Sequence, residues 1–221
     1  MTTRTWSVAT LMMLSVASPA LGGEIQGVLR VPSTVEVAPP LQPYPGRANA
    51  LPGVKPPNSG AVTDAVIYVD SLPAGEPSAI PPERRVTLAQ KDEAFLPRVV
   101  AVAAGTTVDF PNLDPIYHNV FSVSPVKRFD LGKYPRGRSK PVTFRKPGLV
   151  QVYCDIHSQM AAFVLVLPHH GFAQPDAAGR FKLSGLPAGR YILRVWHPDL
   201  PPIQRSFDVT PTGSTRVELG Y

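Results

Sequence analysis

Short apolar runs separated by glycine, proline and asparagine dominate the chain after residue 84. The runs that predict strands are RVTLAQ (85–90), FLPRVVAVAAG (95–105), TTVDFPN (106–112), NVFSVS (119–124), KRFDL (127–131), SKPVTFRKPG (139–148), LVQVYC (149–154) and AAFVLVL (161–167). Strands of this length at this spacing are typical of a β-sandwich or barrel. The pattern therefore predicts an all-β fold.

The two ends of the chain carry strand patterns as well. They are EIQGVLRV (24–31) and AVTDAVIYVD (61–70) near the start, and GRFKLSGLPAGRYILRVWHP (179–198), QRSFDVT (204–210) and STRVELGY (214–221) near the end. Between the first two, residues 32–57 contain eight prolines, which predicts an extended loop. No segment has the pattern of a capped helix.

Composition excludes two classes of protein. The 221 residues are 43% hydrophobic and 17% charged, so the chain can bury a core and is not generally disordered. After the first residues, no window of about 18 apolar residues occurs, which excludes a membrane protein with several spans.

The first 22 residues have the layout of a secretory signal peptide. Arg4 precedes an apolar run over 6–16, and small residues follow over 17–22, with cleavage expected after Ala20 or Gly22. The alternative is an N-terminal anchor helix that is kept. We expect an exported protein without a stable membrane anchor, which is periplasmic if the source is a Gram-negative bacterium.

The positive charge of the chain is concentrated in one stretch, residues 127–146, which we call the basic segment. It holds eight basic residues against the single acid Asp130, a net charge of +7, whereas the whole chain carries +6. The basic residues are Lys127, Arg128, Lys133, Arg136, Arg138, Lys140, Arg145 and Lys146. Nucleic acid is a poor partner for an exported protein, so we expect an acidic protein partner or anionic surface. A merely solvated face is the alternative.

The only cysteine, Cys154, has no intrachain partner for a disulfide. It begins a C-x2-H-x2-M loop between two predicted strands, with His157 and Met160 as the other members, and His118 stands upstream. Two imidazoles, one thiolate and a weak thioether form the ligand set of a blue-copper site. Taken alone, Cys154 and Met160 would be ordinary core residues, and His118 or His157 would be an ordinary polar residue with its hydrogen bonds satisfied. One thiolate with a trailing methionine is a poor structural zinc set, and a two-copper centre would need a second cysteine.

The segment 86–167 resembles the cupredoxins, and its C-x2-H-x2-M spacing is similar to that of amicyanin rather than plastocyanin or pseudoazurin. The resemblance implies a Greek-key β-sandwich in which His118, Cys154, His157 and Met160 bind one type 1 copper. It further implies that Asn119 braces the Cys154 loop. His157 would lie nearest the surface and serve as the electron port.

The end of the chain resembles the second half of a carboxypeptidase regulatory-like, transthyretin-type β-sandwich, through residues 176–183 and 186–195. Residues 27–29 and 64–69 resemble its first half. We therefore expect residues 24–80 and 170–221 to form one discontinuous sandwich, with the proline-rich loop at 32–57 and the cupredoxin domain at 86–167 inserted between its strands. The alternative is that these segments merely flank the cupredoxin.

These features predict an exported single-copper electron carrier that resembles methylamine-utilisation proteins. Its partner would be a redox protein with an acidic docking face, and it would not be an enzyme, because no open substrate site with an acid or base is recognisable. Two alternatives stay open. One is a periplasmic copper-binding or delivery protein, and the other is a non-redox binding module with a vestigial copper loop.

Overall fold

The computed structural model describes residues 22–32, 61–73 and 85–221. Within these ranges the chain forms strands and one short 3-10 turn, η1 (Val62–Asp64), so the prediction of an all-β fold is confirmed. The predicted signal peptide and the proline-rich loop lie outside the described residues, apart from residues 22 and 32. No helix in the described part of the chain is long and apolar enough to cross a membrane.

The strands, in chain order, are β1 (Gly23–Arg30), β2 (Val66–Val69), β3 (Arg85–Thr87), β4 (Ala89–Lys91), β5 (Ala94–Leu96), β6 (Val99–Ala103), β7 (Thr107–Pro111), β8 (Phe121–Ser122), β9 (Phe129–Asp130), β10 (Ser139–Thr143), β11 (Gly148–Tyr153), β12 (Ala161–Leu167), β13 (Phe172–Ala173), β14 (Arg180–Leu186), β15 (Gly189–Trp196), β16 (Ile203–Val209) and β17 (Ser214–Gly220).

Four sheets and one hairpin account for these strands. Sheet I has the order β14-β1-β17, sheet II β13-β2-β15-β16, sheet III β6-β12-β11-β8-β9 and sheet IV β10-β7-β3, while β4 and β5 form the hairpin. Sheets I and II share one apolar core, and we call them the terminal sandwich. Sheets III and IV share another and form the central sandwich. Cys154 and Met160 belong to the core of the central sandwich.

Strand β12 explains how the two sandwiches meet. Successive side chains of a strand point to opposite faces, so Ala162, Val164 and Val166 enter the central core. The alternate side chains, Phe163 and Leu165 among them, pack on Val66 of β2 in a separate cluster. Both faces of β12 are therefore covered, which is why its sequence is an unbroken apolar run. Sheet II contacts sheet I with one face and sheet III with the other, so the four sheets form successive layers.

A buried ion-pair cluster crosses the same interface. Arg98, just before β6, donates from Nη1 and Nη2 to both carboxylate oxygens of Asp199, at 2.6 and 2.8 Å. Its Nη1 also donates to Asp64 Oδ2 at 3.0 Å. The side chains of Arg98, Asp64 and Asp199 are only 8%, 6% and 8% exposed. Burial is the main cause that raises the pKa of Asp64 to about 6, although the charge of Arg98 opposes it.

Several predicted strands are shorter or interrupted in the structure, and two of them have a clear local reason. In the predicted strand at 61–70, Asp64 donates its N–H to the Ala61 carbonyl at 2.9 Å and closes η1, so only Val66–Val69 extend. In the run 95–105, Pro97 separates β5 from β6, because proline has no N–H to donate to a strand ladder.

Candidate metal centre

Two loops at one end of the central sandwich carry the predicted ligands. The first follows β7 and brings His118 into backbone pairing with Tyr134, at 3.3 and 3.0 Å. The second joins β11 to β12, and the Cys154 N–H closes it by donating to the Met160 carbonyl at 3.4 Å. The pairing of Tyr153 with Ala161 at the ends of these strands fixes the width of that loop. The ligand residues are thus attached to rigid strands on both sides.

His118, Cys154 and His157 converge on one point. Cys154 Sγ lies 3.9 Å from His118 Nδ1 and 3.9 Å from His157 Nδ1, and the two Nδ1 atoms are 3.0 Å apart. A triangle with these sides has its centre about 2.1 Å from each corner, which is close to the metal–nitrogen and metal–sulfur distances of protein sites. These three residues form a group that could hold a metal ion.

The hydrogen bonds around His118 fit a metal ligand rather than an ordinary core histidine. Its Nε2 lies 2.7 Å from Asp114 Oδ2, and the ring is completely buried. A carboxylate at one ring nitrogen holds the proton there and leaves the other nitrogen with a free lone pair. That other nitrogen, Nδ1, is the one that faces Cys154 and His157. One thiolate and two imidazoles are chemically suited to copper.

Asp114 is a residue that the sequence analysis missed. Burial alone would raise the pKa of its carboxyl, but hydrogen bonds from the Glu93 N–H, the His118 ring and the Asp92 N–H outweigh it and hold that pKa below its ordinary value. Asp114 is therefore a buried carboxylate that is charged at neutral pH. Asp114 lies only four residues before His118 in the same loop, so a search for carboxylates near each predicted ligand would have found it. Its amide partners are 21 and 22 residues away and leave no local signal.

The other two predicted site residues are both buried. Met160 is 1% exposed, packs in the same core as Cys154 and donates its N–H to the His157 carbonyl at 3.0 Å. Asn119 is 3% exposed, and its Oδ1 has no hydrogen-bond partner within the described ranges. The roles of Met160 as fourth ligand and of Asn119 as brace stay predictions.

Apolar side chains are exposed on the two ligand loops. Leu113, Ile116 and Tyr117 precede His118, and Ile156 precedes His157; we call these four the apolar face. The His157 side chain is 18% exposed, so it is the one histidine of the group that reaches the surface. Asn112 holds the first loop by donating from Nδ2 to the carbonyls of Ile116 and Tyr134, at 2.8 and 2.9 Å.

A second group of possible ligands is Asp64, His197 and Asp199. Arg98 already neutralises charge there through both carboxylates. Both His197 nitrogens are also occupied, because Nε2 lies 3.1 Å from the Ala61 carbonyl and Nδ1 accepts from the Asp199 N–H at 3.1 Å. Without a free lone pair on the histidine, this group is an ion-pair cluster rather than a metal site.

Comparisons with known proteins gave matches among solved structures alone. No protein-family model matches the chain, and no curated protein matches it. Amicyanin from Paracoccus versutus is 23% identical, with 46% of this chain and 97% of that chain covered and a TM-score of 0.36. A purple cupredoxin from Nitrosopumilus maritimus is 20% identical, with 38% and 100% covered and a TM-score of 0.34.

A copper-containing nitrite reductase from Thermus scotoductus is 29% identical, with 38% of this chain covered and a TM-score of 0.36. The similarity spans 22% of the reductase, so less than a quarter of that enzyme is matched. These three solved structures are thus two cupredoxins and one copper enzyme, and each is similar to less than half of this chain.

Proposed function

We propose that this protein is a cupredoxin-type electron carrier with one copper ion bound by His118, Cys154, His157 and Met160. The observation that carries the proposal is the triangle of Cys154 Sγ and the two Nδ1 atoms, whose centre suits a metal ion. Bound copper supplies a couple between Cu(I) and Cu(II) that takes up and releases one electron. The methylamine-utilisation type is part of the proposal through sequence resemblance.

The chain contributes a rigid and mostly dry ligand frame. Cys154 and His118 are buried, and Asp114 keeps the Nδ1 lone pair of His118 directed at the site. Because the ligands are held by strands and hydrogen bonds, little rearrangement is required when the charge of the site changes. Small rearrangement favours fast electron exchange.

The proposed docking surface for a redox partner consists of the apolar face and the adjoining part of the basic segment. The Lys133–Arg138 stretch is hydrogen-bonded to the loop of His118, because the Asn112 N–H donates to the Arg138 carbonyl at 2.9 Å and Gly137 donates to the Asn112 carbonyl at 2.8 Å. Lys133, Arg136 and Arg138 are exposed. Apolar contact at the centre with cations beside it suits transient binding to an acidic protein.

Charge reversal at Lys133, Arg136 and Arg138 to glutamate is expected to slow electron transfer with an acidic partner strongly at low salt and little at high salt. The reason is that ions screen steering beyond a Debye length of about 8 Å at 0.15 M. Stopped-flow rates measured over a series of ionic strengths test this.

The matched control is reversal of Arg190, Arg205 and Arg216, which are exposed on the terminal sandwich and change the net charge equally. It should have a much smaller effect on the rate. Equal slowing by both triple variants would mean that net charge alone matters and that the basic segment is not a docking site.

Met160→Gln is expected to lower the reduction potential while the visible thiolate-to-copper band remains. A thioether favours Cu(I), whereas the harder amide oxygen favours Cu(II). Protein-film voltammetry together with absorption spectroscopy measures both. An unchanged potential would show that Met160 fills the core and does not bind copper.

A copper-delivery protein that uses the same ligands is the second candidate function. The buried Cys154 and His118 favour a carrier, because delivery requires access to the ligands. Repeated oxidation and reduction in the presence of a competing chelator distinguishes the two. A carrier keeps its copper through many cycles, whereas a delivery protein loses Cu(I) to the chelator.

The proposed domain division is residues 24–80 plus 170–221 for the terminal sandwich and 86–167 for the cupredoxin domain. It is supported by strand pairing, since β1 pairs with β14 and β17, and β2 pairs with β13 and β15, within the described ranges. Export to the periplasm is proposed from the N-terminal sequence pattern alone.

A further inference from the structure

The turn between β4 and β5 has a backbone that one of its residues, Glu93, disfavours. Asp92 and Glu93 have φ values of 54° and 52°, the left-handed region that glycine, asparagine and aspartate occupy in such hairpins. Glutamate lacks the short polar side chain whose local hydrogen bonds allow asparagine and aspartate to adopt this conformation. Unfavourable backbone of this kind persists where surrounding contacts enforce it.

The contacts that enforce this turn lead to the metal centre. The Asp92 N–H donates to Asp114 Oδ1 at 2.6 Å, and the Glu93 N–H donates to Asp114 Oδ2 at 3.0 Å. Asp114 Oδ2 also faces His118 Nε2 at 2.7 Å, and the Asp114 N–H donates to Asn112 Oδ1 at 2.9 Å. Asp114 is 5% exposed, so these bonds are shielded from water. The left-handed turn is what aims two consecutive N–H groups at one carboxylate.

The same turn also contacts the other ligand loop. Glu93 Oε2 accepts a hydrogen bond from Gln159 Nε2 at 3.1 Å and lies 4.0 Å from His157 Nε2. Gln159 is the residue before Met160. One turn, distant from both loops in sequence, thus contacts the loop of His118 through its backbone and the loop of Cys154 through a side chain.

We propose that the Asp92–Glu93 turn, with Asp114 and Gln159, is a positioning element that fixes the two ligand-bearing loops relative to each other before metal binds. The two amides hold the Asp114 carboxylate, which sets the proton of His118 on Nε2 and the lone pair on Nδ1. Glu93 holds the second loop through Gln159. The role rests on the proposed function, since it concerns the same ligands.

The turn acts without metal, so the first test uses the metal-free protein. Nitrogen-15 NMR should show the His118 ring protonated on Nε2, and hydrogen exchange should show the Asp92 and Glu93 amides protected although the turn is exposed. In Asp114→Ala no carboxylate holds the ring N–H, so the share of His118 rings that carry the proton on Nδ1 should rise. A ring that keeps its proton entirely on Nε2 in Asp114→Ala, or amides that exchange freely in the wild type, would overturn the proposal.

The second test measures loss of Cu(II) to a chelator. Outer partners of a ligating histidine typically contribute 10- to 100-fold to metal affinity, so Asp114→Asn should weaken binding by about that factor. Asp109→Asn is the matched control, because Asp109 is a carboxylate of β7 that pairs with the exposed Arg85 away from the site. Equal weakening in both variants would mean a general charge effect and contradict the proposal.

Glycine variants separate the contact of the turn with Asp114 from its contact with Gln159. Asp92→Gly and Glu93→Gly both keep the N–H groups and both relieve a positive φ, but only Glu93→Gly removes the contact with Gln159. Glu93→Gly should speed copper loss relative to Asp92→Gly. Identical rates would show that the contact between Glu93 and Gln159 does not hold the second ligand loop. If the wild type binds no copper at all, the proposed function fails, while the NMR experiment still decides whether the turn positions His118.

Discussion

Replacing Cys154 with serine is expected to abolish the intense visible band of the copper-loaded protein. That band arises from charge transfer between the thiolate and copper, and a serine hydroxyl is too hard a ligand to replace it. Serine is slightly smaller than cysteine, so the sandwich should still fold. Absorption spectroscopy and thermal unfolding of the same samples measure the two effects.

Met160→Gln serves as the control for this variant, because it changes the same loop and is expected to retain the band. A band that persists in Cys154→Ser would show that the thiol does not bind the metal. Loss of the band in both variants, with normal unfolding, would instead show that the loop as a whole is required.

Replacing Arg98 with methionine is expected to destabilise the protein by about 3–5 kcal/mol, the usual consequence of removing one partner of a buried ion pair. The substitution leaves the carboxylates of Asp64 and Asp199 buried without their guanidinium. Methionine fills much of the space, so the loss of charge dominates. Chemical denaturation at neutral pH measures the free energy of unfolding.

Asp64→Asn is the matched variant, and its effect should depend on pH. The pKa of Asp64 is raised to about 6 in the fold, compared with about 3.9 in an unfolded chain. Above pH 6 the ionised Asp64 side chain therefore lowers the free energy of unfolding. This loss of stability disappears as the pH falls toward 4. Relative to Asp64→Asn, the wild type should gain stability between pH 7 and pH 4.

Arg98 keeps its bidentate pair with Asp199 in Asp64→Asn, so this variant should be at least as stable as the wild type at neutral pH. Asp199→Asn loses that pair and should be clearly less stable. Equal stability of the two asparagine variants would contradict the assignment of Asp199 as the principal partner of Arg98.

The strands and the ligand loop were predictable because their signals are local. Alternating or continuous apolar runs directly give strands such as β12, and the C-x2-H-x2-M spacing places Cys154, His157 and Met160 in one loop. The convergence of His118 on Cys154 was expected from the chemistry of the ligand set and from the family resemblance, because no local spacing links the two residues. The structure adds the 3.9 Å distance between the Cys154 sulfur and each Nδ1 atom.

Contacts between residues distant in sequence could not be predicted. Arg98 and Asp199 are 101 residues apart and look like ordinary surface charges in the sequence. Asp92 and Glu93 form an ordinary polar pair until the turn brings their amides to Asp114. Such contacts depend on how the sheets pack, and neither hydrophobic periodicity nor motif spacing predicts that packing.

The central claim is tested most directly by titrating the purified wild-type protein with Cu(II) while recording visible absorption and the copper bound per chain. The proposed site predicts one copper ion per chain and an intense thiolate band that rises in proportion to bound copper. Stoichiometric binding without that band, or no binding at all, would contradict the assignment of His118, Cys154 and His157 as a blue-copper site.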